Sequence, residues 1–600
     1  MRLLPCGRDA VILEFADGVQ VGRYVAGLQA AGWAIGPGPP GVIGSGVVEV
    51  VPAARTLMVR AGSPAALREL IPLLRGVRPV EPARLPDDET LVEVVYDGPD
   101  LDDVAAFRGT SREAVVAAHT GETWSVAFCG FAPGFAYLTS LRGAQGGWDT
   151  PRLESPRTQV PAGSVGLAGP YSGCYPTSSP GGWRLIGRTN ASLWDPDADP
   201  PALLRPGRRV RFVDVTGRPA PALARTSAKD PSKDSSKDSA KDSAKAPAGD
   251  QDRTRKASVP GETSFAHEGA VEVLDPGSLT LVEDLGRFGH AAVGVGRSGA
   301  ADHGAHRLAN RLIGNDETAA TLEVLAGGLR LRALRATEIA IAGAPVASTV
   351  DGRPAPFAEP VFLAAGAELR LGRPSLGLRS YVAILGGIAV APVLGSRSRD
   401  TIAGLGPAPL AAGDLLASGT HAVRPADAAM VGFALGSGDG PDAVSWTGTT
   451  AAGREAAAAT AVRGPLGGVV TLTGTWGPRA DWFQAAARRL LTSSTWTVRS
   501  DSDRVGVRCD GPTVERFVAG ELPSEAVTRG SIQIPPSGQP VIFLADAPTT
   551  GGYPVIGVLD PEAVDALAQA RPGDAIRIAL AAPRYPHDLS DLDERCEDSL

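Results

Sequence analysis

Two stretches of the chain concentrate the residue types that hold ligands. The first contains Gly130-Phe-Ala-Pro-Gly-Phe-Ala-Tyr-Leu138, Pro151-Arg-Leu-Glu-Ser-Pro-Arg157, Val160-Pro-Ala-Gly-Ser-Val165 and Ser179-Pro-Gly-Gly-Trp183. The second contains Ser502-Asp-Arg504, Gly530-Ser-Ile-Gln533, Pro536-Ser-Gly-Gln-Pro540 and Asp546-Ala-Pro-Thr-Thr-Gly-Gly-Tyr-Pro554. Glycines let backbone approach a ligand with no Cβ in the way, prolines fix the turns, and the interspersed Arg, Asp and Gln supply polar contacts. The pattern reads as two related active-site walls.

The two stretches also resemble each other. Gly163-Ser-Val and Gly181-Gly-Trp-Arg-Leu-Ile-Gly187 have counterparts in Gly530-Ser-Ile and Gly551-Gly-Tyr-Pro-Val-Ile-Gly557, which points to duplication of one module. The alternative is chance agreement between glycine-rich turns.

Every lysine falls between Lys229 and Lys256, in a Lys-Asp-Ser repeat interrupted by Pro231 and Pro247. Poor helix formers and like charges four apart make this a disordered linker. From 216 to 268 it spans roughly 35–45 Å as a flexible coil, enough for the flanking lobes to lie side by side. The lobes therefore have no Walker-A, Schiff-base or biotinyl lysine, and any phosphate or carboxylate there must be held by Arg, backbone amides or a metal ion.

Other classes are excluded by composition. The 600 residues need several cores, no apolar run reaches the roughly 18 residues of a membrane helix, and the N-terminus lacks a signal-peptide core, so a cytoplasmic protein is expected. Five scattered cysteines, Cys6, Cys129, Cys174, Cys509 and Cys596, form neither a disulfide framework nor a zinc ribbon. A net charge of −8 without a basic stripe argues against nucleic acid.

The elements that position the two walls are mainly β with α+β parts. Residues 1–85 form a small α+β domain and 90–215 an irregular barrel of short strands with one helix near 111–119. Residues 270–436 form the first half of a second lobe, 437–462 bridge its halves, 463–580 form the second half, and 581–600 form an acidic tail.

The first lobe resembles the KipI family (allophanate hydrolase subunit 1, the B component of 5-oxoprolinase) through His119-Thr, the Gly-Phe-x-Pro-Gly-Phe-x-Tyr-Leu run, Pro156-Arg157, Val-Pro-Ala-Gly-Ser-Val and Ser-Pro-Gly-Gly-Trp. The second resembles KipA (allophanate hydrolase subunit 2, the C component of 5-oxoprolinase) through Glu283-Asp-Leu-Gly-Arg287, Gly299-Ala-x-Asp302, Ala309–Asn315, Leu322-Glu323, Leu394–Arg397, Ser502–Arg504, Gln533, Asp546 and Thr549–Pro554. Two positions depart from the family pattern, the last residue of Ser396-Arg-Ser-Arg399 and Val505 after Arg504. The resemblance implies cyclophilin-like β-barrel domains in both lobes, which is a fold and not an isomerase activity.

It also implies ATP-dependent opening of 5-oxo-L-proline to L-glutamate with a separate 5-oxoprolinase A component of the LamB/YcsF-like type. A lactam is poorly electrophilic, so phosphorylating its carbonyl oxygen prepares it for water. Under this reading Arg157 and Arg504 are catalytic donors, His119 an acid or base, and Asp546 a base or metal carboxylate; Arg504→Ala and Arg157→Ala are expected to lower turnover severely while sparing the fold. Arg152, Gly163, Ser164, Gly181, Gly182, Trp183, Arg287, Gln533, Thr549, Thr550, Gly551, Gly552 and Tyr553 bind substrate, and Asp302 and Asp503 hold Mg²⁺. ATP and Mg²⁺ are the implied cofactors, no biotin is attached to this chain, and a higher-order oligomer of the fused chain is compatible with the family. Two other readings are a biotin-dependent carboxyltransferase acting on urea or a related amide, and a sensor-kinase inhibitor fused to its antagonist.

Each residue also has a structural alternative. His119 can serve its helix end, and Asp302 with His303 and His306 can mark a helix start rather than a metal. Asp284 and Glu323 can accept buried amides, Trp183 and Tyr553 can be barrel core, and Arg504 can pair with Asp503 or Asp501.

Overall fold

Four of the five residues of the strand Ala10–Glu14 are fully buried, and both of its faces are covered. Val11 and Leu13 pack under two helices, Gly18–Ala30 and Pro64–Gly76, whereas Ala10 and Ile12 join Val51 and Met58 against Ala526, Val527, Phe543, Val555 and Val558 of the C-terminal barrel. A strand buried on both faces reads as a continuous apolar run, which is why Ala-Val-Ile-Leu shows no alternation. The N-terminal sheet, ordered Arg2–Cys6, Ala10–Glu14, Thr56–Ala61, Val47–Pro52, is thus a layer between its own helices and the second lobe. Asp17 and Ser63 cap the two helices through Gln20 N and Ala66 N.

The computed structural model describes residues 1–33, 46–82, 89–143, 147–218, 269–419, 469–518, 520 and 522–583, with a strand pair at Ala434–Leu435 and Trp446–Thr447. Nearly all of the expected linker at 216–268, the bridge at 437–462, the tail at 581–600 and Cys596 lie outside the described residues.

Each lobe contains a seven-stranded barrel. In the first the order is Arg184–Arg188, Ser164–Ala168, Tyr171–Cys174, Ala136–Ser140, Trp124–Cys129, Arg209–Asp214, Glu89–Val94, and reciprocal backbone bonds of 2.9 Å between Val95 and Arg188 join the two edges. In the second the closed order is Val555–Leu559, Ser531–Gln533, Val541–Phe543, Gly506–Asp510, Trp496–Val498, Ala575–Ala581, Val470–Trp476. The orders coincide strand for strand, and in each barrel the parallel pair joins the last two strands.

Local bonds repeat as well. Gly163 (φ +79°) and Gly530 (φ +87°) both take the left-handed region, each amide bonding the end of the neighbouring hairpin (Tyr175 O, 2.7 Å; Phe543 O, 2.8 Å). Trp124 donates through its indole to His119 O at 3.1 Å, and Trp496 to Leu491 O at 3.0 Å. These matches support duplication over chance agreement of glycine-rich turns.

The first half of the second lobe stacks a six-stranded sheet on a five-stranded one around a core of Val, Leu and Ile. On the outer face of the five-stranded sheet lies the helix His303–Leu312, whose alanines pack against Ala340, Ala342 and Tyr381.

Candidate active site

The two glycine-rich stretches meet at the seam between the lobes. Phe131 N donates to Thr550 Oγ1 at 3.1 Å, and Gly134 N donates to Val293 O at 2.9 Å. A Cβ on Gly130 would stand 2.3 Å from Thr550 Oγ1, so this approach requires glycine. The Tyr137 hydroxyl faces the side chains of Ser524 and Thr550, which hold its pKa down against the larger upward push of burial. Behind it Phe135, Tyr171, Tyr175 and Trp183 pack edge to face, and the exposed Arg152 lies close enough to act on all three tyrosines. Gly181 presses on the Tyr175 hydroxyl, where a Cβ would be 2.4 Å away. Trp183 is therefore buried wall rather than an exposed platform, whereas Tyr553 is 41% exposed at the rim.

Also on the first lobe, Arg157 donates to Asp100 Oδ1 at 2.7 Å and to Trp183 O at 3.4 Å. Asp100 spends its other oxygen on Leu185 N. Arg157 thus ties the hairpin of Arg157–Val160 and Ser179–Gly181 to the barrel and remains partly open to solvent. Gly163 and Ser164 sit at the open end of the hairpin of Ser164–Ala168 and Tyr171–Cys174, both bonded to the backbone of Tyr175, and Gly182 accepts from Leu153 N.

Arg504 is the centre of a buried charge cluster. It holds Asp546 through both Nε (3.0 Å) and NH2 (3.1 Å), bonds Glu323, donates to Gly299 O and lies 3.2 Å from Glu283. Burial alone raises carboxyl pKa values, but Arg504, assisted by Ser298 and Thr401, outweighs it at Asp546, and Arg504 with Arg379 outweighs it at Glu323. Glu283 goes the other way: burial drives it well upward, and neither carboxyl oxygen has a hydrogen-bond partner. Two arginines, Arg504 and Arg379, thus face three buried carboxyl groups, of which Glu283 is the one that burial pushes toward its protonated form. The partners of Arg504 are accordingly Asp546 and Glu323, in place of the expected Asp503 or Asp501. One side of the cluster faces a cavity of about 730 Å³ floored by Glu323, Arg379, Thr401 and Arg504 and walled by Leu279, Leu325 and Leu544.

Sequence-based expectation is corrected at two residues, His119 and Asp302. His119 is fully buried, with Nδ1 2.7 Å from the Tyr96 hydroxyl, Nε2 2.8 Å from Ser172 Oγ and its ring stacked on Phe212. Burial lowers its pKa to about 3, so it is a neutral core histidine with both nitrogens engaged. Asp302 caps its helix through Ala305 N and accepts from Gln569 Nε2, and Asp503 closes a turn on Val505 N and Gly506 N. With both of its oxygens committed to protein donors Asp302 does not fit Mg²⁺, whereas Asp503 engages only Oδ1 in its turn and lines the cavity of about 730 Å³.

Three other residues expected to bind substrate, Arg287, Gln533 and Thr549, are buried. Arg287 is 1% exposed, donates to Val393 O and Ser398 O, and leaves NH1 unpartnered. Gln533 carries Tyr553 O at 3.0 Å beneath Gly551, and Thr549 is buried with its hydroxyl unpaired. Sequence reasoning missed Tyr137, although it lies in the quoted motif, and Asp400, which follows Arg399 directly. Asp400 accepts from Ile402 N and Ala403 N, and burial next to Asp546 raises its carboxyl to about 6.

The family model "Carboxyltransferase domain, subdomain C and D" matches residues 1–204, and "Carboxyltransferase domain, subdomain A and B" matches residues 293–580. The C component of a Haemophilus influenzae 5-oxoprolinase is 30% identical over 312 residues, which cover 51% of this chain and 90% of that protein. The B component of an Escherichia coli 5-oxoprolinase is 45% identical over 172 residues, 28% of this chain and 78% of that protein. The chain belongs to the 5-oxoprolinase B/C family. It carries both component types in one polypeptide, B-like first and C-like second. The crystal structure of TTHA0988 covers 95% of this chain and 99% of its own, at 32% identity and a TM-score of 0.72. A urea amidolyase of Lachancea kluyveri is 30% identical over 353 residues, 55% of this chain and 18% of that protein. No helix among the described residues is long and apolar enough to cross a membrane.

Proposed function

We propose that this chain is the fused B/C component of an ATP-dependent 5-oxoprolinase, which opens 5-oxo-L-proline to L-glutamate together with a separate A component. The observation that carries the reading is the seam: residues of the B-like lobe (Gly130, Phe131, Tyr137) and of the C-like lobe (Ser524, Thr550) complete one another's hydrogen bonds. Two component types so joined act as one unit, which suits an obligate enzyme complex.

ATP supplies the phosphoryl group that turns the lactam oxygen into a leaving group. The residues proposed to serve that chemistry are Arg152 and Arg157 on the first lobe, as donors toward anionic oxygens, with Thr550, Gly551 and Tyr553 on the facing rim. Arg504 acts through Asp546 and the Ser298 and Thr401 hydroxyls bonded to it, which makes it a positioning residue.

The test is turnover: chain plus A-type partner is expected to convert 5-oxoproline and ATP into glutamate, ADP and phosphate, with either component alone much weaker. The carboxyltransferase descriptions of both matching family models and the urea amidolyase relative favour a second reading, carboxyl transfer to urea. Carboxybiotin-dependent urea carboxylation, without oxoproline-dependent ATP turnover, would replace the first reading with the second.

A further inference from the structure

A small crevice between the N-terminal domain and the second lobe gathers three arginines that the reading above leaves unused. Arg60 comes from the strand Thr56–Ala61, Arg297 from the loop after the turn Ala291–Val293, and Arg529 from the loop before Ser531–Gln533. Together with Glu49, Thr528 and Thr549 they line a space of about 40 Å³. A single water needs only about 10–15 Å³ by such a measure, so the crevice has room for one small polyatomic group.

Three of its polar atoms lack partners. Arg60 Nε, Arg529 Nε and the Thr549 hydroxyl are buried without hydrogen-bond partners, and Thr549 is only 5% exposed. Arg60 Nε does lie 3.3 Å from Asp9 and its other end donates to Thr528 Oγ1, while Arg529 pairs with Asp565 at 2.6 Å and donates to Ala301 O. Arg297 has no salt bridge among the described residues: its Nε donates to Leu285 O and its guanidinium lies 4.0 Å over the Phe288 ring. Burial lowers Arg297 to about 9, and the positive charges of Arg60, Arg529 and Arg307 add to that, with Glu49 opposing. Glu49 is itself raised by burial although Arg60 and Arg297 pull it down, so the one acidic lining residue compensates poorly. His303 lies against Arg529 with Nε2 unpaired, and burial followed by these arginines lowers its pKa well below the usual histidine range.

Buried donors without partners are rare because each costs its desolvation, and several around one crevice call for a shared acceptor. The acceptor that matches converging guanidinium and hydroxyl groups is a planar or tetrahedral oxyanion. We propose that this crevice is a binding site for a small oxyanion, a carboxylate or phosphate group, held by Arg60, Arg297, Arg529 and Thr549. The walls belong to residues far apart in the chain, so the bound anion also ties the N-terminal domain to the second lobe. The proposal is independent of which reaction the complex runs.

Calorimetric titration of the full chain alone, with no A-type partner or turnover, tests it. Inorganic phosphate and acetate are titrated separately, and the one that saturates a single site identifies the source. Arg297→Gln is expected to weaken that binding about 10- to 100-fold through loss of charge-assisted bonds. Glu49→Gln is expected to tighten it, because the competing negative charge is gone. A purely structural Glu49–Arg297 pair would not move affinity in opposite directions. Absence of binding by both anions, or equal affinity in the wild type and both variants, overturns the proposal. Should Arg297→Gln fail to fold, unchanged or weaker binding by Glu49→Gln overturns it alone.

Discussion

The Phe131 amide and the Thr550 hydroxyl, 419 residues apart in sequence, form a 3.1 Å hydrogen bond that stitches the first glycine-rich run to the second. Gly130 makes that approach sterically available, and Tyr137 reinforces it through Thr550 and Ser524. The N-terminal sheet adds a second contact area, where Arg8 pairs with Asp560 at 2.7 Å and Arg479 with Glu14 at 2.6 Å.

Gly130→Ala therefore strains one of two lobe contacts. A lysine-specific protease is expected to cut only within Lys229–Lys256 and leave two fragments that co-elute. In the variant the overpacked seam costs about 1–3 kcal/mol, so the fragments should separate at lower urea than in the wild type. Identical separation midpoints would show that the seam contributes nothing to the association.

Arg504→Ala should collapse the fold instead of sparing it, contrary to the expectation from sequence. Its loss leaves Asp546 and Glu323 buried with their main counter-charge removed, a change worth about 3–5 kcal/mol. Chemical denaturation checks this directly. Combining Arg504→Met with Asp546→Asn and Glu323→Gln should recover part of the loss, since neutral groups cost less to bury unpaired. A single Ala variant of near-wild-type stability would sink the account of the charge cluster.

His119→Leu is the complementary case. The equivalent position of the second barrel is Leu491, beneath the same tryptophan bond, so the shape is tolerated. The hydroxyls of Tyr96 and Ser172 lose a partner, which should cost about 1–3 kcal/mol each at most. Turnover per folded molecule, measured with the A-type partner, should stay near wild type. A loss of several hundredfold in soluble, folded protein would return His119 to the chemistry.

These cases show where sequence reading stops. The barrel repeat was legible because Gly163 and Gly530 must each take a left-handed φ, which leaves a local mark. The seam leaves a local mark too, as glycine at Gly130 records the close approach of Thr550 from the other lobe. For Arg504, expected as a catalytic donor, sequence neighbours offer Asp503 or Asp501 as the alternative partners, but its partners lie 42 and 181 positions away. Nothing local specifies such pairings. Arg60 and Arg297 belong to no motif, and only the fold brings them together. His119 misled because a histidine in a motif looks chemical until its aromatic surroundings are visible.

Asp400 predicts a pH effect. Its folded pKa of about 6 is raised above the ordinary value of 3.8, chiefly by burial and then by Asp546. The unfolded chain therefore releases this proton first, and the stabilisation is fully present below about 3.8 and is lost as pH rises through about 6. Asp400→Asn should flatten the wild-type dependence of the urea midpoint between those values. An unchanged slope would mean that the carboxyl titrates normally.

Arg157→Ala should separate chemistry from stability, because Arg157 is 28% exposed and its pair with Asp100 lies at the barrel edge. Asp100 is buried and keeps Leu185 N as a partner, so loss of the pair costs about 1–3 kcal/mol, and the melting midpoint should fall modestly while the protein stays folded. If its guanidinium faces a developing oxyanion or a transferring phosphoryl group, removal costs about 2–4 kcal/mol of barrier, roughly 30- to 1000-fold in turnover. Arg157→Lys sharpens the reading: a point charge keeps the pair with Asp100 but loses the second prong to Trp183 O, so an intermediate rate is expected. Wild-type turnover in Arg157→Ala, at saturating substrate with the A-type partner, would confine this arginine to holding the hairpin on the barrel.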